Sequence, residues 1–202
     1  MMKNNILEYL DEVIPNPRCE LNYHTDYELL IATMLSAQTT DKRVNQVTEV
    51  LFNKYPNLDM LSKADINDLI DIIRPLGNYH KKAINVKEIA IRLKDIDVIP
   101  NDRTFIESLP GVGRKTANVF LANIYDEPVM AVDTHIERIS KRLGIAKKND
   151  SVRTTEDKLT KYFKGCNINR LHHQLLLFGR YHCKSINPLC DNCKLKSICK
   201  KR

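Results

Sequence analysis

Apolar residues recur every three or four positions along most of this 202-residue sequence, and strand patterns are nearly absent. Short breaks rich in proline, glycine or asparagine separate the apolar segments. Helix starts fit capping boxes at Thr25 with Glu28 and at Thr134 with Glu137, and Gly144 fits a helix end. The clearest apolar sets are Val44, Val47, Val50 and Leu51, then Leu69, Ile72 and Ile73, then Ala83, Val86, Ile89, Ala90 and Leu93. The pattern predicts an all-α fold of about ten helices.

Charge is unevenly distributed along the chain. The formal net charge is +7, and residues 141–202 contain 16 lysines and arginines against four acidic residues, whereas residues 1–140 contain 16 against 21. A basic C-terminal third indicates a polyanionic partner, most commonly nucleic acid, although a merely basic soluble surface is the alternative on charge alone. No apolar stretch is long enough to cross a membrane, and no signal-peptide core opens the chain, so we expect a cytosolic protein.

Four of the six cysteines lie near the C-terminus with the spacing C-x6-C-x2-C-x5-C: Cys183, Cys190, Cys193 and Cys199. In an intracellular chain, clustered thiols favour a metal over disulfides. Zinc sites usually pair their ligands in two short knuckles, and here only one knuckle is present. A single 17-residue loop supplying four thiolates fits a [4Fe–4S] cluster at least as well. Spacing alone leaves zinc and the cluster open, while Cys19 and Cys166 outside the loop are expected to be small buried apolar residues.

The stretch SLPGVGRKTANV, residues 108–119, predicts a glycine turn between two helices. Gly111 and Gly113 allow positive φ and close approach of another molecule, and backbone N–H groups there form a nest suited to a phosphate. A plain helix–turn–helix corner is the alternative. Two cations, Arg114 and Lys115, follow at a helix start, which is already positive. Positive surroundings and partial burial favour a neutral amine, which is a nucleophile able to form a Schiff base with a sugar aldehyde.

Asp133 follows 18 residues after Lys115, in AVDTHIERISKRLG (131–144). An aspartate beside a capping threonine is common at a helix start. That structural role also fixes the carboxylate in a partly desolvated place, so Asp133 is a candidate for catalysis as well.

Four motifs in this order resemble the endonuclease III family of helix–hairpin–helix DNA glycosylases, over nearly the whole chain. They are LLIATMLSAQTTD (29–41), LPGVGRKTA (109–117), AVDTHIERISKRLG (131–144) and the cysteine loop. The resemblance implies a [4Fe–4S] cluster held by the four cysteines. It also implies a base excision repair glycosylase with AP lyase activity, which acts as a monomer on double-stranded DNA carrying a damaged base or an abasic site, with oxidised pyrimidines as the favoured lesions.

By this resemblance, Lys115 attacks C1′ of the damaged nucleotide, and Asp133 accepts a proton or stabilises positive charge on the sugar. The nucleotide must be flipped out of the duplex, and Gln38 enters the space that it leaves. The Schiff base then permits β-elimination, which cuts the strand 3′ to the lesion. The set of residues expected to contact DNA is Gln38, Thr39, Asn78, Gly111, Val112, Gly113, Arg114, Thr116 and Lys184.

The family fold implies two helical lobes with a cleft between them. We therefore expect a helical barrel with the hairpin over residues 20–129, and an iron–sulfur domain formed by residues 1–19 with 130–202. Because no membrane segment is predicted, the chain is expected in the cytoplasm, associated with the nucleoid through DNA.

One position departs from the family pattern. In PLGNYHKKA (75–83), the family usually has a bulky apolar wedge after the glycine, and here Asn78 stands there. We expect the wedge to be weaker or to shift to Tyr79, which would lower discrimination by the opposite base.

Three rival interpretations differ in testable ways. The adenine glycosylase branch has a catalytic Glu where this chain has Ala32, and it lacks the hairpin lysine present here as Lys115. A non-enzymatic DNA-binding module would form no covalent adduct with abasic DNA. A zinc-stabilised structural protein would be colourless, whereas a [4Fe–4S] protein is brown.

Overall fold

The structure, a computed structural model, describes residues 2–200, and within that range it contains eleven α-helices, one 3₁₀ turn and no strand. The all-α prediction is therefore confirmed, with one helix more than the ten expected. The helices are α1 (Met2–Val13), α2 (Asp26–Leu35), α3 (Asp41–Lys54), α4 (Leu58–Lys63), α5 (Ile66–Ile73), α6 (Tyr79–Leu93), α7 (Arg103–Glu107), α8 (Arg114–Tyr125), α9 (Thr134–Arg142), α10 (Val152–Tyr162) and α11 (Ile168–Tyr181), and the 3₁₀ turn is Lys196–Ile198.

The helices divide into two compact units. One is Glu20–Tyr125, with α2 to α8, and the other consists of the described residues on either side of it, with α1 and α9 to α11. The boundary that we predicted at residue 129 lies in the connection between α8 and α9. Residues 1, 201 and 202 of the predicted iron–sulfur domain lie outside the described residues.

The unit Glu20–Tyr125 is built around α2, in which every residue from Tyr27 to Leu35 is buried. Helices α3, α6 and α8 pack directly against α2. Thr25 caps α2 as predicted, because its side chain accepts a hydrogen bond from the Glu28 N–H. The Glu28 carboxylate in turn accepts from the backbone N–H of His24 at 2.6 Å, one residue before the cap. The sequence continues from the buried end of α2 directly into the turn that contains Gln38.

The other unit has its own core, to which α1, α9, α10 and α11 contribute Ile6, Leu10, Ile136, Leu159 and Phe178. Helices α9 and α11 approach closely at Gly179, where an added Cβ would lie 2.8 Å from His135 Cβ and 2.9 Å from Ile139 Cδ1. This close packing fixes α9, whose first residues follow Asp133.

The predicted capping box at Thr134 is wrong by one residue. Asp133 is the N-cap of α9, and Thr134 is the first helical residue. Both residue types cap well, but the Asp133 carboxylate takes the first free N–H groups. Glu137 instead forms an ion pair with Lys141, Oε1 to Nζ 2.5 Å.

Across residues 2–200, no helix is both long and apolar enough to cross a membrane.

Candidate functional site

The glycine hairpin joins α7 to α8, and α8 begins at Arg114 as the sequence predicted. Gly111 has a φ of +75°, which L side chains rarely adopt, and an added Cβ would lie 2.3 Å from Asn85 Nδ2 and 3.2 Å from Met34 Cγ. The hairpin is therefore packed against both α2 and α6. Gly113 differs: its φ is not positive, and nothing lies within 4 Å of an added Cβ. Of the two glycines, only Gly111 is required by the backbone of the turn.

The hairpin presents backbone donors to its surroundings. The Val112 N–H donates to Leu109 O at 3.1 Å, and the Val112 side chain is buried. The N–H groups of Gly111 and Gly113 have no hydrogen-bond acceptor among residues 2–200. The turn therefore offers two N–H groups next to the first turn of α8, where helical N–H groups also lack intrahelical partners.

Lys115 lies in the first turn of α8, with its side chain exposed. The partial burial that we expected is wrong, because burial in this turn falls on Val112 and Ala117 instead. Arg114 and Thr116, on either side, are half-buried. An exposed amine at the start of a helix can reach a bound molecule without any rearrangement of the core.

Two further predicted DNA-contacting residues lie in left-handed turns. Gln38 is exposed with a φ of 57°, and Asn78 is exposed with a φ of 56°. Asn78 is the N-cap of α6 but makes no side-chain capping bond. Its neighbour Tyr79 stacks against His80, with ring centroids 4.3 Å apart. Both turns therefore project polar side chains into solvent.

Lys82 lies behind the Gln38 turn and was missed by the sequence analysis. Its Nζ donates to Ala37 O at 2.9 Å and to Thr39 Oγ1 at 3.4 Å. Burial lowers the pKa of this amine. The sequence does indicate this burial, because Lys82 lies on the same helical face as the apolar residues Val86 and Ile89. An ionisable side chain on a buried helix face is a candidate for a structural or functional role.

Asp133 uses only one of its two oxygens to cap α9. Oδ1 accepts from the backbone N–H groups of His135 at 3.0 Å and Ile136 at 2.8 Å. No hydrogen bond to Oδ2 is formed by any residue that the structure describes. The side chain is half-buried. The cap holds the carboxylate fixed, and its second oxygen is available to a ligand.

The four clustered cysteines line one cavity of about 70 Å³ at the end of α11. Backbone hydrogen bonds hold the loop in shape, among them Cys183 N to Phe178 O at 2.7 Å and Cys193 N to Cys190 O at 3.3 Å. The Tyr9 hydroxyl donates to Asn192 O at 3.3 Å, and burial raises the pKa of the Cys193 thiol. Within residues 2–200, no three His, Cys, Asp or Glu side chains are arranged to hold a single metal ion.

Two arginines of α9 hold the start of the cysteine loop. Arg142 Nη1 lies 3.1 Å from Cys183 Sγ and donates to Lys184 O at 2.8 Å. Arg138 donates to Cys183 O and to Gly179 O, the latter at 2.8 Å. A guanidinium beside this sulfur complements the negative charge of a group bound through thiolates. Four thiols around one cavity, one of them beside a guanidinium, fit a group that takes four thiolate ligands.

The structure brings the predicted residues together in two groups. The hairpin, the Gln38 turn and Asn78 belong to the unit Glu20–Tyr125. Asp133, the cysteine loop and the half-buried Lys184 belong to the other unit.

The sequence is similar to those of known DNA repair proteins. Residues 31–165, more than half of the chain, match the model of the HhH-GPD superfamily of base excision DNA repair proteins. Endonuclease III of Bacillus subtilis is 40% identical over 96% of this chain and 90% of its own, and that of Haemophilus influenzae is 39% identical over 96% and 92%.

Solved structures of endonuclease III have the same fold. A trapped endonuclease III–DNA covalent intermediate, an estranged-adenine complex, is 39% identical with a TM-score of 0.90 over 99% of this chain and 96% of its own. A non-covalent endonuclease III–DNA complex is 40% identical with a TM-score of 0.90 over 98% and 93%. The chain therefore belongs to the endonuclease III family of the HhH-GPD superfamily, whose members are base excision repair DNA glycosylases with associated AP lyase activity.

Proposed function

We propose that Lys115 is the nucleophile with which this enzyme removes damaged bases from double-stranded DNA and cuts the abasic strand. The observation that carries the proposal is an exposed amine directly after a hairpin whose Gly111 and Gly113 N–H groups have no acceptor within residues 2–200. Those N–H groups bind a backbone phosphate, which brings the sugar of a flipped nucleotide to the amine.

The reaction begins with attack of the Lys115 nitrogen on C1′ of the damaged nucleotide. The C1′–N glycosidic bond breaks and the base leaves, taking up a proton. Opening of the sugar ring gives a Schiff base between Lys115 and C1′, which makes the C2′ proton acidic. Loss of that proton places a double bond between C2′ and C3′, and the C3′–O bond breaks with the phosphate as leaving group. Water then releases Lys115 from the product.

Asp133 assists base removal, either by accepting a proton or by stabilising positive charge that develops on the sugar. The support is that Oδ1 alone caps α9, so Oδ2 can act on a substrate while the helix start stays intact. A fixed carboxylate needs no reorganisation as charge develops.

The remaining DNA contacts fall into three sets. Around the phosphate, Arg114 and Thr116 flank Lys115 at the start of α8. Val112, whose N–H donates to Leu109 O and whose side chain is buried, supports the turn from inside. Gln38, with Thr39 beside it, enters the space left by the flipped nucleotide, and Asn78 faces the opposite base. Lys184, which lies in the cysteine loop, binds a DNA phosphate through its side chain. Its carbonyl oxygen accepts a hydrogen bond from Arg142 Nη1 at 2.8 Å.

Cys183, Cys190, Cys193 and Cys199 would hold a [4Fe–4S] cluster, which would supply a structural centre bound through four thiolates. The fit rests on four thiols that line a common cavity and on the Arg142 guanidinium at Cys183 Sγ. Chemical analysis is expected to find iron and acid-labile sulfide in equal amounts, about four of each per chain, and one zinc per chain would contradict the assignment.

Oxidised pyrimidines are the proposed lesions, and the enzyme works as a monomer in the cytoplasm on the DNA of the nucleoid. Duplexes that each carry one defined lesion opposite each of the four bases test the substrate class. Release of oxidised pyrimidines with little dependence on the opposite base is expected, because Asn78 is a polar wedge. Exclusive release of adenine or of an alkylated purine would overturn the substrate assignment.

The role of Asn78 is tested separately with an Asn78→Leu variant. Unchanged rates of base release opposite every base would overturn that role.

A further inference from the structure

Lys82 is a buried cation with no carboxylate partner. It is 6% exposed, and its Nζ donates to a carbonyl and a hydroxyl, while no ion pair to it occurs within residues 2–200. Burying an ammonium group away from water is costly unless it is paired, which is consistent with the lowered pKa of this amine. Stability alone therefore does not explain a lysine at this position.

Both acceptors of Lys82 flank the residue proposed to enter the duplex. Ala37 and Thr39 are the immediate neighbours of Gln38 in the chain, at 2.9 Å and 3.4 Å from Nζ. Gln38 has a φ of 57°, a left-handed conformation that residues other than glycine, asparagine and aspartate rarely adopt. Two hydrogen bonds that bracket this residue hold the turn in its disfavoured conformation.

The backbone of Lys82 is bound to the second left-handed turn. The Lys82 N–H donates to Asn78 O at 3.1 Å, and Asn78 has a φ of 56° and a ψ of 34° as the N-cap of α6. One residue thus bonds through its backbone to the turn of Asn78 and through its side chain to the turn of Gln38. The two hydrogen bonds of the Lys82 side chain therefore connect the Gln38 turn to the start of α6.

We propose that Lys82 is a positioning residue that couples the Gln38 turn to the Asn78 turn, so that both side chains meet a DNA lesion site in a fixed relative position. This inference rests on the proposed function, since it deepens the roles given there to Gln38 and Asn78. Lys82 itself remains below the surface and does not contact DNA.

Replacement by methionine tests the coupling, because it keeps a long apolar side chain and removes the ammonium group. Lys82→Met is expected to weaken binding to a duplex with a stable abasic-site analogue about tenfold, the typical value of a charged hydrogen bond. Binding to undamaged duplex should change little, since there the Gln38 and Asn78 side chains have no vacated space to enter. Lys87→Met is the matched control: Lys87 is on the same helix, and its Nζ donates to Ala64 O at 2.9 Å in another loop.

Retention of wild-type affinity for the abasic site by Lys82→Met would overturn the proposal, as would an equal loss in Lys87→Met. If Lys82→Met does not fold, Lys82→Gln replaces it, because glutamine can still donate one hydrogen bond to Ala37 O. Because it keeps only one of the two hydrogen bonds, Lys82→Gln is then expected to bind the abasic-site duplex more weakly than the wild type and the undamaged duplex equally well. Wild-type affinity for the abasic-site duplex, or an equal loss on both duplexes, would again overturn the proposal.

A double variant separates this proposal from the role of Gln38 itself. Gln38→Ala alone with wild-type affinity and rates would refute the proposed role of Gln38. If Gln38→Ala weakens binding and Lys82→Met adds its full effect on top, Lys82 does not act through the turn. The coupling predicts that Lys82→Met adds less than a twofold loss in the Gln38→Ala background, because interacting residues are not additive.

Discussion

Replacing Asp133 by asparagine separates the structural role of this carboxylate from its proposed catalytic role. Oδ1 caps α9 by accepting from the N–H groups of His135 and Ile136, at 3.0 Å and 2.8 Å. Asparagine keeps an oxygen that can accept both bonds, and it ranks with aspartate as an N-cap residue. It carries no charge and accepts no proton, so the catalytic role is removed while the capping hydrogen bonds are kept.

The two roles of Asp133 differ in magnitude. The charge of a carboxylate at a helix N-terminus contributes roughly 0.5 kcal/mol, so Asp133→Asn should lower the free energy of unfolding by about that amount. Asp133→Ala also loses the cap, which adds about 1 kcal/mol. Loss of a positioned acid–base group slows chemistry by about 10²- to 10⁴-fold, or roughly 3–5 kcal/mol in the activation barrier. The expected kinetic effect is therefore several times the stability effect.

Single-turnover base release at saturating enzyme measures the chemical step, with urea unfolding measured in parallel. Both Asp133 variants should release base at least 100-fold more slowly than the wild type, a lower limit set by the loss of an acid–base group. Asp65→Asn is the matched control, because Asp65 caps α5 in the same way, with Oδ1 accepting from Asn67 N at 2.8 Å and Asp68 N at 3.4 Å. It should lose similar stability and keep the wild-type rate. A wild-type rate in Asp133→Asn, or an equal loss in Asp65→Asn, would refute the catalytic role.

The hairpin glycines and the contact between α3 and α5 can each be tested by substitution. Gly113→Ala should fold normally, since an added Cβ meets nothing within 4 Å, but it should bind DNA more weakly. Gly111→Ala should lower the free energy of unfolding by roughly 1–2 kcal/mol, because the φ of Gly111 is +75°. Unfolding curves and fluorescence anisotropy distinguish the two effects, and normal DNA binding by Gly113→Ala would contradict the phosphate site. The Tyr55 hydroxyl donates to Asp68 Oδ2 at 2.5 Å, and burial with this carboxylate raises the pKa of Tyr55 to about 12. The bond therefore stabilises the fold fully below pH 10, and this stabilisation is lost as the pH rises towards 12. Between pH 8 and pH 11, the free energy of unfolding in urea should fall by roughly 1 kcal/mol more in the wild type than in Tyr55→Phe.

The helices and the hairpin were predictable because their signals are local. Apolar spacing and short breaks placed α8 at Arg114, directly after the glycine pair. The start of α9 was missed by one residue because Asp133 and Thr134 are both good N-cap residues. Which of them caps the helix depends on where the backbone turns into the helix, and the sequence pattern does not encode that position. The exposure of Lys115 depends on how the hairpin packs against α2 and α6, which no local pattern encodes.

Lys82 shows a different limit of sequence reasoning. Lys81 and Lys82 are adjacent and chemically identical, yet the first is exposed and the second is 6% exposed. Helical phase assigns Lys82 to the apolar stripe, but its partners Ala37 and Thr39 are more than 40 residues away in sequence. Contacts over such separations depend on tertiary structure. The same holds for the Arg142 guanidinium at Cys183 Sγ.

The identity of the nucleophile is tested most directly by borohydride trapping on a duplex with a single abasic site. The wild type should form a covalent protein–DNA adduct, because borohydride reduces the Schiff base to a stable amine. Lys115→Gln should form no adduct while still binding the duplex. Arg114→Gln, which removes the neighbouring positive charge, should bind more weakly and still be trapped at saturating concentration. An adduct in Lys115→Gln at the wild-type level would show that another residue is the nucleophile, whereas no adduct in Lys115→Gln together with trapping of Arg114→Gln is expected if Lys115 attacks C1′.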